Sequence, residues 1–332
     1  VPRKTSDTVA VDCARLEAGM ARLNETMASL AGAIALAVGA SADAAPAAPA
    51  ANTVSPLVLT APEKPAELVD RTTEFVRQRL PTSRFEQYAR FHDPVCVKVV
   101  GLPPEFDRFI ARRVVEVARQ VKAPVADAAD CAPNVNVLFT AQPQALLSDI
   151  ARRREILFGF HFQANLKTLS TFSRPVQAWY VTRTEDTHGN KVLELNDPHP
   201  YDPDSGQSPA VTGRAGSRLG ADLSSELVHS LIIADANKVA GEKIDAVADY
   251  IAVLALSRWQ KLERCSGLPT ILNLMADNCD AEDRAEAATP GDLALLTGLY
   301  AASPRDSGSQ QRATIASAVR KAAATAASQV RE

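Results

Sequence analysis

Five histidines, His92, His161, His188, His199 and His229, are the side chains best suited to metal chemistry in this 332-residue chain. Zinc hydrolysis on a helix needs two histidines one turn apart, so that both rings reach one ion, with a carboxylate beside them as general base. No two of the five lie three or four residues apart, so the sequence contains no helical pair. Residues 241–256 read instead GEKIDAVADYIAVLAL, an apolar helical pattern with Asp249 and Tyr250 in its middle. Asp249 is the candidate cleft acid. The alternative puts its carboxylate on the solvent side of a helix whose buried stripe is Ile244, Val247, Ile251 and Leu254. Tyr250 lies next to that stripe and reads as packing. A metal-dependent hydrolase would then have to gather its ligands from distant residues, such as His161, His229 and Asp249.

Other chemistries find less support. Asp197, Asp202 and Asp204 in NDPHPYDPD offer the oxygen ligands that suit calcium, a hard cation. Their spacing departs from the D-x-D-x-D-G loop, and Pro198, Pro200 and Pro203 restrict how the segment can wrap an ion. No cofactor and no metal is assigned. The sequence has no G-x-S-x-G elbow, and GRAGSRLG at 213–220 lacks the lysine of a phosphate loop. A net charge of -3 and a pI near 6.0 give no reason to expect nucleic acid as partner.

The N-terminal region reads as an address. From Met27, MASLAGAIALAVGASADAAPAAPAA passes from an apolar stretch of about a dozen residues into small residues and Ala/Pro repeats. The stretch is too short for a membrane span, which needs about 20 residues. Cleavage is expected near Ala44 or Ala45, with translation starting at Met20 or Met27. Residues 1–45 are thus assigned to a signal peptide with upstream residues, 46–62 to a Pro/Ala linker, and 63–332 to a single domain without a transmembrane segment. The expected location is the periplasm or the outside of the cell. Cysteine usage agrees: with Cys13 upstream of cleavage, Cys96, Cys131, Cys265 and Cys279 remain. Four cysteines allow three connectivities. Cys96 with Cys131 and Cys265 with Cys279 are favoured, because each pair brackets a compact unit; a zinc site would lack any C-x-x-C spacing.

The elements that must position these residues alternate between helix and strand. PAELVDRTTEFVRQRLP predicts a short helix stopped by Pro81. In PEFDRFIARRVVEVARQV, Phe106, Phe109, Ile110, Val114, Val117 and Val121 share one helical face. NVNVLFT at 134–140 is a β-branched strand, followed by a helix opening at Pro143. VQAWYVTRTEDTHGNKVLEL predicts a hairpin turning at THGN. A long loop rich in Pro, Gly, Asp and Ser follows, then the strand ELVHSLIIAD at 226–235 and the helix at 241–256. Thr289 and Pro290 start a further helix with Leu293, Leu296 and Leu299 inside, and an alanine-rich helix closes the chain.

The order of strand, helix, LPTILNL between two cysteines, and TPGDLALLTGLYAA resembles the end of zincin-type secreted peptidases, in particular those similar to matrix metalloproteases. Over residues 226–302, ADYIAVLAL keeps the apolar frame of their active helix, with Leu254 and Leu256 at its leucines. Ala248 and Ala252 fall where ligand histidines belong, and Asp249 falls at the glutamate. The mature chain with FHDPVC, GLP, ADYIAV and LLTGLYA is also similar to an exported bacterial family of unknown function. The resemblance implies an α+β fold with helices packed on a small mixed sheet in a zincin-like arrangement, stapled by disulfides. It implies a non-catalytic binding or structural module in the cell envelope, its partner an unknown envelope component and the loop at 184–217 the expected contact.

Overall fold

A computed structural model describes residues 65–83, 86–127, 131–159, 163–186, 188–193 and 223–329. Helix α1 (Pro65–Arg79) leads to strand β1 (Val97–Val100), helix α2 (Pro104–Gln120), strand β2 (Val135–Thr140), and helices α3 (Pro143–Arg153) and α4 (Gln163–Leu169). Strands β3 (Val176–Asp186), β4 (Lys191–Leu193) and β5 (Leu223–Asp235) follow, then helices α5 (Ala236–Val239), α6 (Ile244–Ala255), α7 (Pro290–Ala301) and α8 (Gly308–Gln329). The fold is therefore α+β, with helices packed on a small mixed sheet.

The strand order is β1-β2-β5-β3-β4. β1, β2 and β5 run parallel, whereas β3 runs antiparallel to β5 and β4 antiparallel to β3. Side-chain alternation gives the sheet two different faces. Val135, Val137, Phe139, Leu227, Ile232 and Ala234 belong to the larger core, which includes α2, α6, α7 and α8. Leu138, Trp179, Leu231 and Ile233 pack with Leu147, Ile150, Leu157 and Phe158 on the other side. β1 can pass directly into α2 because Gly101 takes φ +109°, and a Cβ there would lie 2.0 Å from the Phe139 carbonyl oxygen.

Helical periodicity places α2 correctly: Ile110, Val114 and Val117 are buried in the core. Phe106 departs from the expected stripe, being 41% exposed in the first turn. Disulfides join Cys96 to Cys131 and Cys265 to Cys279, the pairing the sequence favours. The first ties the entry of β1 to the entry of β2; the second closes the segment that follows α6. No described helix is long and apolar enough to cross a membrane.

Candidate functional site

Strand β3 carries the site because its two edges are used unequally. Every residue from Val176 to Asp186 has a partner on β5 except at a bulge between Val181 and Thr182, whereas β4 covers only Arg183 to Glu185. The Asp235 N–H donates to the Pro175 carbonyl at 2.8 Å, which sets the hydrogen-bonding parity of the ladder. In an antiparallel pair, residues alternate between bonding the neighbour and facing away. Gln177, Trp179 and Val181 therefore bond β5, and the main-chain groups of Val176, Ala178 and Tyr180 face the opposite edge. Among the described residues, no strand covers them there.

A cleft of about 550 Å3 runs along this open edge. One wall is the end of α4 and its continuation, Lys167 to Leu169 with Thr171; the other is Leu254 with Trp259 to Leu262. The strand itself fastens both walls. Trp179 donates its indole N–H to the Leu169 carbonyl at 3.0 Å, and Gln177 donates to the Thr171 carbonyl at 3.2 Å. On the other side the Tyr180 hydroxyl donates to the Leu254 carbonyl at 2.9 Å, while Trp259 donates to the Val253 carbonyl at 3.0 Å. An ion pair of 2.8 Å between Arg174 and Glu263 joins the two walls. Burial raises the Tyr180 hydroxyl well above the ordinary phenol pKa, so it stays a neutral donor. The cleft is thus formed in advance, with its main-chain donors and acceptors aimed into it.

Among the described residues its lining holds no Asp, Glu, His or Cys. Ser173, Thr168 and Thr171 have no base among the lining residues to activate them. Among the described residues no group of three His, Cys, Asp or Glu could hold a metal ion.

Asp249 lies elsewhere and has other work. It is 4% exposed, so it is neither a solvent-facing carboxylate nor part of the cleft. Arg113 of α2 donates through Nε to Oδ1 and through Nη2 to Oδ2, the latter at 3.3 Å. The Ala288 N–H donates to Oδ2 at 2.7 Å. One carboxylate thus ties α6 to α2 and to the segment that enters α7. The hydrogen bond that Arg113 donates to Asp249 raises the Arg113 pKa more than burial lowers it. Ala248 and Ala252 are wholly buried in the core.

His229 faces away from this helix. Its neighbour Ser230 donates to the Ala255 carbonyl at 2.9 Å, so α6 covers the Ser230 face and His229 points to the opposite one. There the Asn136 amide nitrogen lies 2.8 Å from Nε2, which places the proton on Nδ1, a buried atom without a partner among the described residues. The sheet therefore separates His229 from Asp249, and the scattered ligand set does not assemble; His161 lies outside the described residues. Asp197, Asp202, Asp204 and most of the loop at 184–217 are likewise outside them.

Buried charges on the sheet are held in pairs. Glu226 on β5 accepts from Arg183, and its Oε1 lies 2.9 Å from His92 Nδ1; Arg183 also reaches Asp93 at 2.7 Å. Burial pushes the Glu226 carboxyl up, but the His92 hydrogen bond and the Arg183 guanidinium outweigh it and hold the pKa at about 2. Burial alone lowers His229 to about 4.

The cleft was missed by sequence reasoning. Register and the extent of strand pairing decide it, and no local pattern in the sequence encodes them. Comparison with protein-family models, curated proteins and solved structures finds no match to this chain.

Two predictions follow from the buried groups. Asp249→Ala leaves the Ala288 N–H unpaired and Arg113 with only the half-exposed Glu116 at 3.5 Å, and should lower stability by roughly 2–4 kcal/mol in urea unfolding, where an exposed carboxylate would change it by less than about 0.5. For His229, an unfolded pKa of about 6.5 lies above the folded value of about 4, so the unfolded state takes the proton first. Its contribution is complete above pH 6.5 or so and should fall by roughly 3 kcal/mol as pH drops towards 4. His229→Gln should flatten unfolding free energy over that window while leaving the lower limb, where Glu226 titrates between about 4.5 and 2, in place.

Proposed function

We propose that this chain is an exported, non-catalytic, zincin-like binding module that accepts an extended peptide segment as an added strand along Val176, Ala178 and Tyr180. The observation that carries the reading is the open edge of β3 at the floor of a walled cleft. A peptide lying there gains main-chain hydrogen bonds without needing a particular sequence, and its alternate side chains meet the two walls. The walls also decide what can bind. An exposed strand edge is ordinarily a template for pairing with another sheet. Here flanking walls on both faces admit a single thin chain and obstruct a second sheet.

Supports for the zincin-like part are the apolar frame of ADYIAVLAL and the alanines at the ligand positions. Their burial, and the capture of Asp249 by Arg113, favour a packing role for that helix over peptidase chemistry. Export is supported by the signal-like N-terminal sequence and by two formed disulfides, which persist in oxidising compartments. The binding partner is accordingly sought in the cell envelope or outside the cell.

Ala178→Pro tests the reading. It removes a donor that faces the open edge and leaves the β5 ladder intact, so stability should change by no more than about 1 kcal/mol. In selection from a randomised nonapeptide display library, the native chain should enrich specific sequences. Synthetic copies of the winners should bind Ala178→Pro at least about tenfold more weakly by fluorescence anisotropy. Equal affinity for the native chain and Ala178→Pro would place the peptide elsewhere.

A further inference from the structure

We propose that the cleft selects extended segments carrying carboxylates, and that Lys167 and Lys261 are the residues that read them; this rests on the strand-addition reading above. Among the described residues, three cations line the cleft, Lys167, Arg174 and Lys261, and no acidic residue does. Arg174 is neutralised by Glu263 at 2.8 Å. Lys167 and Lys261 make no ion pair with a described residue, so among the described residues the cleft presents two positive charges without acidic partners. A segment bearing carboxylates supplies the complementary charge, and repulsion disfavours a basic one.

The backbone at Lys261 is the second observation. It sits at φ +54°, in the left-handed region where glycine is the least strained residue. The turn alone would therefore be better served by glycine, and what lysine adds is a charged side chain at the cleft wall. Glu86, Lys122 and Asn278 take similar angles without lining the cleft, so it is the place of Lys261 on the cleft wall that ties it to a ligand.

The two lysines also stand on opposite sides of the sheet plane. Lys167 belongs to the wall fastened by Trp179, and Lys261 to the wall fastened by Tyr180, neighbouring residues whose side chains point to opposite faces. In an added strand, side chains one or three positions apart point to opposite faces, while those two apart share one. Carboxylates at odd separation can engage both lysines at once; a pair at even separation engages only one.

The library selection described above reads the result directly. Enriched sequences should be rich in Asp and Glu, with pairs at odd separation. For one enriched peptide, the analogue with both carboxylates replaced by amides should bind the native chain at least about tenfold more weakly at low salt, and the ratio should shrink in 0.5 M NaCl. Lys261→Gly and Lys167→Ser should each lose several-fold in affinity for the acidic peptide. The doubly substituted chain should bind the acidic peptide and its amide analogue within about twofold of each other. Lys261→Gly should also melt no lower than the native chain, because glycine relieves the left-handed turn. Winners without acidic enrichment, or an amide analogue that binds as tightly as its parent, would overturn the charge selection while leaving strand addition standing. No enriched sequence at all on the native chain would remove both.

Discussion

The antiparallel pairing of β3 with β5 is the interaction on which the rest of the molecule depends. β5 is the middle strand of the sheet; it accepts β2 in parallel on one edge and β3 in reverse on the other. Reversal at β3 lets a hairpin turn end the sheet cheaply, but the described part of β4 pairs only Arg183 to Glu185, and among the described residues the rest of that β3 edge is uncovered. Backbone donors and acceptors must then find water or a partner. Trp179 and Tyr180, neighbours on the strand, send their polar tips to opposite walls, so the strand that owns the open edge also builds the groove around it.

The same sheet partitions the ionisable groups. Asp249 is drawn into the larger core by Arg113, and His229 is isolated on the other face beside Asn136. Glu226 is paired with Arg183 and His92, while the cleft keeps two ammonium groups without acidic partners among the described residues. The contrast is physical. Pairing inside the protein removes desolvated charges from reactivity, whereas charge left at a solvent-filled opening stays available to an incoming ligand.

Much of the architecture could be read from the sequence because it is written in local patterns. The spacing of Ile110, Val114 and Val117 gave the buried face of α2, VNVLFT gave β2, and four cysteines in two compact brackets gave the disulfides. Asp249 was misplaced because a one-sided stripe was assumed for α6. The run AVADYIAVLAL has few polar residues on any side, which is the mark of a helix buried all round, and α2, α7 and residues 271–275 surround it. The cleft was not legible for a different reason. Whether Ala178 faces a neighbour or an opening depends on register and on how far β4 extends, and both are set by long-range pairing. Lys261 likewise looks like any surface lysine until its backbone angle is known.

The central claim is that Val176, Ala178 and Tyr180 offer their main chain to a ligand. Amide hydrogen exchange on the full chain, with and without a saturating enriched peptide, tests it residue by residue. Strand addition predicts slowed exchange at the amides of Val176, Ala178 and Tyr180, with little change at Gln177 and Trp179, which already bond β5. Protection that spares the even-numbered amides, or that appears only away from β3, would contradict the account.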